Sequence, residues 1–351
     1  MRQSRKMDHL KYALELGDGP RQAGFDDITL VHNCLPGLAW DAVSLDTTVA
    51  GLPLAHPVMI NAITGGSDDV AGMNKRLAEL AALTGAAMAV GSQFSALENK
   101  AVWESYQVAR RIHRDGIVIA NLGAHATVDD ARIAVDMIGA DALQIHLNAA
   151  QEIMMAEGDR DFRNYLENIA AIAAKINVPV IVKEVGCGIA KEAAAKLAAT
   201  GIACIDVGGA GGTNFVAIEA ARSCQAINTE MLSWGIPTAA SAFEVAASLP
   251  ENVEFIISGG IRTALDCVKG LAMGAKAAAI AAPALRLLTD HETVEQAAEE
   301  FHRMLLQIRR YMMLVGASQV RELSSVPIVI SGFTCKWLTA RGIDTSKYAQ
   351  R

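Results

Sequence analysis

The chain is 351 residues long, 52% apolar and 20% charged, which supplies material for a large core and excludes a disordered polymer. Aromatic residues make up only 5% while glycines number 29, a balance that favours helices packed closely on a sheet over a β-sandwich. A formal charge of −7 argues against broad binding of a phosphate backbone, so nucleic acid is not an expected partner.

The six cysteines (Cys34, Cys187, Cys204, Cys224, Cys267 and Cys335) include no C-x-x-C pair, so neither a zinc ribbon nor a dithiol redox motif is expected. Arg2, Arg5, Lys6 and Lys11 keep the first residues polar, with no secretory apolar region behind them. The long uncharged stretch Leu80–Leu97 is broken by Gly, Ser, Thr and Gln and does not suit a membrane span. The expectation is a soluble cytoplasmic protein with reduced thiols and no membrane partner.

In chain order, short apolar runs alternate with segments of helical period. Pro57–Asn61 (PVMIN) is followed by helix Asp68–Thr84, with Leu77, Leu80, Ala81 and Leu83 on one side. Run Ala86–Val90 precedes helix Val102–His113, and run Gly116–Asn121 (GIVIAN) precedes helix Val128–Ile138. Next come Ala142–His146 (ALQIH) with helix Phe162–Ile176, then Pro179–Lys183 (PVIVK) with helix Ala190–Thr200. The last units are Ala203–Val207 (ACIDV) with helix Ala242–Leu249, Val253–Ser258 (VEFIIS) with helix Thr263–Met273, and Ala277–Ala281 with a long helix, Glu292–Val315.

Eight strand–helix units with continuous apolar strands predict parallel strands buried on both faces, and the count selects a (β/α)8 TIM barrel over an open doubly wound sheet. The expected organisation is a single domain, 1–351, with an N-terminal extension over 1–56, the barrel over 57–315 and a C-terminal tail over 316–351. The extension would close the bottom of the barrel or reach toward its mouth. A long insertion after strand six, Gly208–Ser241, projects from the catalytic face as a lid or cap, and the polar end Ala340–Arg351 is expected to fray.

Chemistry in this fold sits at the C-terminal strand ends. Those ends read Asn61 with Ile63-Thr64-Gly65-Gly66, then Gly91-Ser92-Gln93, Asn121, His146 with Asn148, Gln151 and Glu152, and Lys183-Glu184. Strands six to eight end in Gly208–Thr213, in Ser258-Gly259-Gly260-Ile261-Arg262 and in Ala281-Ala282. Side chains thus occupy one half of the mouth and bare backbone the other. Glycines at a helix start let main-chain amides approach an anion, so strands seven and eight are expected to hold a phosphate.

Lys183 ends an apolar strand, where an unpaired ammonium is costly, so it should meet an anion or the electron-rich edge of a flavin. A Schiff-base lysine is the competing chemistry, and a salt bridge to Glu184 is disfavoured because neighbouring strand residues face opposite ways. His146, Asn148, Gln151 and Glu152 form a polar cluster within seven positions. One carboxylate does not make a zinc site but suits Mg²⁺ shared with substrate phosphates. Arg5, Lys6 and His9 form a small basic cluster, a solvated tail unless a second phosphorylated ligand is bound. His32, His56, His113, His125, His291 and His302 lack such neighbours and are assigned to structure.

Together these residues resemble the FMN-dependent type 2 isopentenyl-diphosphate isomerases. The likeness runs from Arg5-Lys6-x-x-His9 through Ala62–Gly66, Val90–Gln93, Asn121–Gly123, His146-Leu147-Asn148-x-x-Gln151-Glu152 and Val182–Gly186 to Asp206–Thr213 and Ser258–Thr263. The Gly-Gly-Ile-Arg turn is common to many FMN barrels; the basic N-terminal motif joined to His-Leu-Asn-x-x-Gln-Glu is specific. The resemblance implies that Thr64, Gly65, Gly66, Ser92, Asn121, Lys183 and Thr213 surround the flavin ring and ribityl chain. It implies that Gly259, Gly260, Arg262, Ala281 and Ala282 hold the FMN phosphate. Arg5, Lys6, His9, His146 and Asn148 would grip the substrate diphosphate, Gln151 would lie by the isoprenyl carbons, and Glu152 would bind Mg²⁺. One departure stands out: Phe94 occupies a position where many members carry Arg.

The implied reaction moves a double bond between isopentenyl and dimethylallyl diphosphate by adding one proton and removing another. Reduced FMN is then the active cofactor, NADPH is its reductant, and Gln151, His146 and Lys183 are the candidate catalytic residues. The family also implies a homotetramer or larger homo-oligomer; Met304, Leu305, Met312 and Met313 on the last helix suit either a subunit contact or core. The closest rival, an FMN-dependent α-hydroxy-acid oxidase or dehydrogenase, needs a His-Gly-x-Arg pair after a late strand, and Phe255–Arg262 contains no His. An IMP-dehydrogenase-like enzyme needs a cysteine in the strand-six loop, and Gly208–Phe215 has none.

Overall fold

Eight short parallel strands close into a barrel: β1 (Val58–Ile60), β2 (Met88–Ala89), β3 (Val118–Gly123), β4 (Ala142–Leu147), β5 (Val180–Glu184), β6 (Cys204–Asp206), β7 (Glu254–Ser258) and β8 (Ala277–Ile280). Closure is between β8 and β1, with Ala278 beside Val58. The structure, a computed structural model, describes residues 2–66, 68–223 and 229–351, with the side chains of 2–7 and 68–69 outside the description. The expected eight-stranded barrel is therefore what the chain forms.

Side chains alternate across each strand, so residues two apart share a face. The lower interior layer is apolar and includes Met59, Ile119, Ala142, Ile181, Cys204, Ile256 and Ala277. Two positions on, toward the strand ends, the same faces carry Asn61, Asn121, Gln144, Lys183, Asp206 and Ser258, all buried. Register sets Asn121 beside Gln144, His146 beside Lys183, and Lys183 beside Asp206. The interior is thus oily below and polar above. The hairpin of Thr47–Val49 and Leu52–Leu54 packs against the lower layer through Val49 and Leu54, while helix Arg2–Glu15 brings His9 to the mouth.

Helix starts follow local chemistry. Thr127 with Asp130, Thr263 with Asp266, and Thr293 with Gln296 form reciprocal caps on Val128–Ile138, Ala264–Ala272 and Val294–Val315. Several helices were not anticipated, two of them at the mouth of the barrel. Phe94–Glu98 lies in the loop after β2, and Ala282–Asp290 starts directly after β8 with Pro283 in its first turn. Leu305 and Met312 on the long helix are buried in the core. Among the described residues, no helix is long and apolar enough to cross a membrane.

The expectation of a frayed end is overturned. Ile328–Ile330 pairs antiparallel with Ile28–Leu30, and helix Gly332–Ala340 follows. The Arg341 guanidinium reaches Glu244 at 2.8 Å, and Tyr348 packs edge-on against Phe243 at 4.8 Å between ring centres. Arg351 donates to the Ala272 carbonyl at 2.6 Å. Polarity alone misled here, because Arg341 and Arg351 have partners and the one aromatic ring, Tyr348, is buried. Tyr348→Ala is expected to destabilise the protein by about 3 kcal/mol, read as a lower urea midpoint with unchanged slope.

Candidate active site

Two clefts meet at the C-terminal mouth of the barrel, and Lys183 lines both. The smaller, about 610 Å³, is walled by the glycines of the β6 and β7 ends, by Thr213 and Arg262, and by Ala281 and Ala282. Helix Ala282–Asp290 begins there with no side chain capping its first amides. This end offers donors to an anion. Gly260 has φ 71° and sits so close to Gly211 that an added Cβ would lie 2.3 Å from its carbonyl oxygen, so only glycine fits.

Arg262 is already engaged. Its Nε donates to Asp18 Oδ2 at 2.8 Å, and its two terminal nitrogens donate to the Gly260 and Gly211 carbonyls. Asp18 lines the same cleft, held by the pairing of the N-terminal segment with Thr213 and by Gly19 N donating to Gly212 O at 3.0 Å. Sequence reading gave no hint of a carboxylate at this place.

The larger cleft, about 1420 Å³ and open to solvent, is lined by His9, Ser92, Asn121, His146, Asn148, Gln151, Glu152 and Lys183, so the fold gathers eight of the expected site residues on one cavity. Thr64, Gly65 and Gly66 form the turn behind Ala62 and Ile63, which reach both clefts. Their glycines answer to a wall: a Cβ on Gly65 would lie 2.3 Å from the Tyr106 ring. The Thr64 hydroxyl is buried with no hydrogen-bond partner among the described residues. A buried hydroxyl left this way costs free energy unless a bound group meets it. Arg5 and Lys6 lie on helix Arg2–Glu15, but their side chains are outside the described residues.

Lys183 is 6% exposed and its ammonium donates to the Glu184 main-chain carbonyl at 2.7 Å. The Glu184 carboxylate turns away and accepts the main-chain amides of Val185, Gly186 and Gly188 and, closely, of Cys187. Burial pushes the Glu184 carboxyl up to about 7 against those amides and the nearby Lys183 charge. The expected lack of a Lys183–Glu184 side-chain bridge agrees with this geometry.

Glu219 is the main residue that sequence reading missed. It is fully buried on helix Phe215–Arg222 of the insertion. Its Oε1 accepts from His9 Nε2 and from Gln151 Nε2, each at 2.7 Å, and its Oε2 accepts from Arg222 Nε at 2.7 Å. Burial acts to raise the Glu219 carboxyl, but the His9 hydrogen bond and charge, with Gln151 and Arg222, hold it down at about 2. One carboxylate thereby fixes two cleft residues, His9 and Gln151, that lie far apart in the sequence.

Glu152 Oε1 accepts Asn148 Nδ2 and its Oε2 accepts the Asp159 amide, both at 2.9 Å, so its carboxylate is held against the cleft wall. No group of three or more His, Cys, Asp or Glu that would hold a metal alone occurs among the described residues. A single fixed carboxylate fits an ion only where a bound ligand supplies further oxygens. His125, assigned above to structure, instead lines the cleft, its ring stacked on Phe94 at 4.0 Å. Phe94, named above as a departure from the family pattern, is the stacking partner.

Comparison with known proteins agrees with this architecture. The profile of the family described as FMN-dependent dehydrogenase matches residues 142–329, from β4 past β8. A mutant flavocytochrome b2 with pyruvate bound shares the fold with a TM-score of 0.69 at 15% identity, covering 96% of this chain and 85% of that one. Barrel, glycine-lined cleft and unpartnered Thr64 hydroxyl thus belong to the class of FMN-dependent (β/α)8 enzymes. Within it, isopentenyl-diphosphate delta-isomerase of Symbiobacterium thermophilum is 46% identical over 361 residues, covering 100% of this chain and 99% of that protein. The Geobacillus sp. enzyme of the same name is 48% identical over 353 residues, with 100% and 99% covered. The chain belongs to the isopentenyl-diphosphate delta-isomerase family, in its FMN-dependent type 2 branch.

Proposed function

We propose that this chain interconverts isopentenyl and dimethylallyl diphosphate, with reduced FMN that residues of the two clefts would hold, Mg²⁺ that Glu152 would bind, and NADPH consumed only to reduce the flavin. The observation that carries this reading is the convergence of His9, His146, Asn148, Gln151 and Glu152 on one cleft, divided by Lys183 from a glycine-lined anion site. The hydroxy-acid alternative lacks its base: no His follows β7 in Ser258–Arg262.

When bound, reduced FMN supplies acid/base chemistry and an electron-rich face that stabilises developing positive charge. Gly259, Gly260, Ala281 and Ala282, with Arg262, receive its phosphate, and Thr64, Ser92, Asn121 and Thr213 surround the rest. Lys183 places a positive charge between the two clefts and favours an anionic ring. His9, His146 and Asn148, joined by Arg5 and Lys6, hold the diphosphate, whose binding energy is remote from the reacting carbons. Gln151 has no acidic proton to give and serves to orient and to exclude water. Mg²⁺ on Glu152 would offset diphosphate charge.

Anaerobic NMR in D₂O with isopentenyl diphosphate, Mg²⁺ and FMN tests the reading. Conversion with deuterium incorporation is expected only after dithionite reduction. Equal turnover with oxidised flavin would overturn the reduced-flavin role, and no turnover with bound, reducible flavin would overturn the substrate.

Asp18 sets a second expectation. Its carboxylate pairs with Arg262 in the cleft assigned to the phosphate and adds a like charge there. Asp18→Asn is expected to tighten FMN binding by about 3–10-fold at low salt and less at high salt, followed by flavin fluorescence on titrating apoprotein. Weaker binding would make Asp18 the support of Arg262 instead.

A further inference from the structure

Gln144 and Asp206 are 1% and 0% exposed, border neither cleft, and enter no step above. They belong to a line of hydrogen bonds that crosses the barrel interior and ends on His146. Its direction is set at one end by groups that cannot be turned round. Asn61 Oδ1 accepts the Ala62 main-chain N–H at 2.9 Å, and Asn61 Nδ2 donates to Asp206 Oδ2 at 2.7 Å. A main-chain N–H only donates, so the Asn61 amide has a single orientation. Asn61 Oδ1 also accepts Gln144 Nε2 at 3.1 Å, which leaves Gln144 Oε1 to accept Asn121 Nδ2 at 3.0 Å. Asn121 Oδ1 is then the atom 2.9 Å from His146 Nδ1. An amide oxygen has no proton to give, so the proton of this last bond sits on the imidazole.

We propose that Gln144 is a positioning residue which, backed by Asn61 and Asp206, holds His146 with its proton on Nδ1. Nε2 is then the one ring nitrogen that exchanges a proton with a ligand. His9, His125, Lys183, Glu152, Glu157 and Asp159 line the same cleft as the ring, but the nitrogen that keeps its proton is chosen from behind, inside the barrel. For a diphosphate the consequence is specific, and it rests on the function proposed above. Neutral His146 offers Nε2 as a lone pair, which repels phosphate oxygens, so a diphosphate at this ring arrives with one proton shared at Nε2.

Magic-angle-spinning NMR of FMN-loaded protein labelled with ¹⁵N-histidine tests this, with His146 signals identified by their loss in His146→Gln. In free protein at about pH 8, Nδ1 is expected at a protonated-type shift and Nε2 at an unprotonated one. Adding inorganic diphosphate and Mg²⁺ is expected to move Nε2 alone to the protonated type, with binding read independently from ³¹P. Gln144→Met is expected to split the His146 signals between two tautomers, whereas Asn121→Asp, which keeps an acceptor toward Nδ1, preserves the native pattern. A proton on Nε2 alone in free wild-type protein overturns the assignment, as does a Gln144→Met spectrum identical to wild type. An Nε2 left unprotonated beside bound diphosphate overturns the linkage. The free-protein spectrum does not depend on the isomerase reaction, so failure in the D₂O assay and failure here are separate results.

Discussion

Glu219→Ala is expected to lower kcat/KM by about 10²–10³ and to destabilise the fold by about 3–5 kcal/mol. The carboxylate is fully buried and accepts from His9, Gln151 and Arg222, so its removal leaves three donors facing a void. Glu219→Gln, which keeps the shape and one acceptor oxygen, separates the two effects: activity falls with a smaller loss of stability. The pH dependence has a definite sign. A carboxyl held at about 2 in the folded protein, below its ordinary value of 4.5, stabilises fully above 4.5, and that stabilisation is lost as pH falls from 4.5 toward 2. Urea midpoints measured across that range should decline more steeply for wild type than for Glu219→Gln; parallel curves would remove Glu219 from the acid response.

Lys183→Met carries the second large expectation, a fall in turnover of about 10²–10³. The methionine fills most of the space but removes the charge at the junction of the two clefts. Without that charge the anionic reduced flavin loses its support, so the pH at which the reduced flavin deprotonates should rise, as followed by absorbance under anaerobic conditions. Full turnover and an unmoved titration in a variant that still binds flavin would end the assignment of Lys183 to the ring edge.

The barrel was legible because parallel strands buried on both faces read as unbroken apolar runs, and eight of them occur in order. The same runs concealed their own polar residues. Gln144 within ALQIH and Asp206 within ACIDV pass as tolerated polar positions in a strand, yet both face inward beside Asn61, whose amide links them. Residues at strand ends, such as His146 and Lys183, were found because the fold itself says where to look. Glu219 gave no local signal: its partner His9 lies 210 residues away, and its own helix reads as an ordinary amphipathic insertion. His125 was set aside for lack of polar neighbours, although its neighbour is the Phe94 ring across the cleft mouth. Contacts made by tertiary packing alone leave little trace in spacing or composition.

Barrel closure has a consequence for how the protein is made. Val58 on β1 waits for Ala278 on β8, and the glycines and helix start facing the anion site lie between Gly259 and Ala282. At 5–20 residues per second, the first strand is synthesised roughly 11–44 s before its last neighbour. A nascent chain stalled before that point has neither a closed barrel nor a complete cradle for the cofactor. Yellow colour in the purified protein is therefore a direct optical assay of molecules whose barrel has closed.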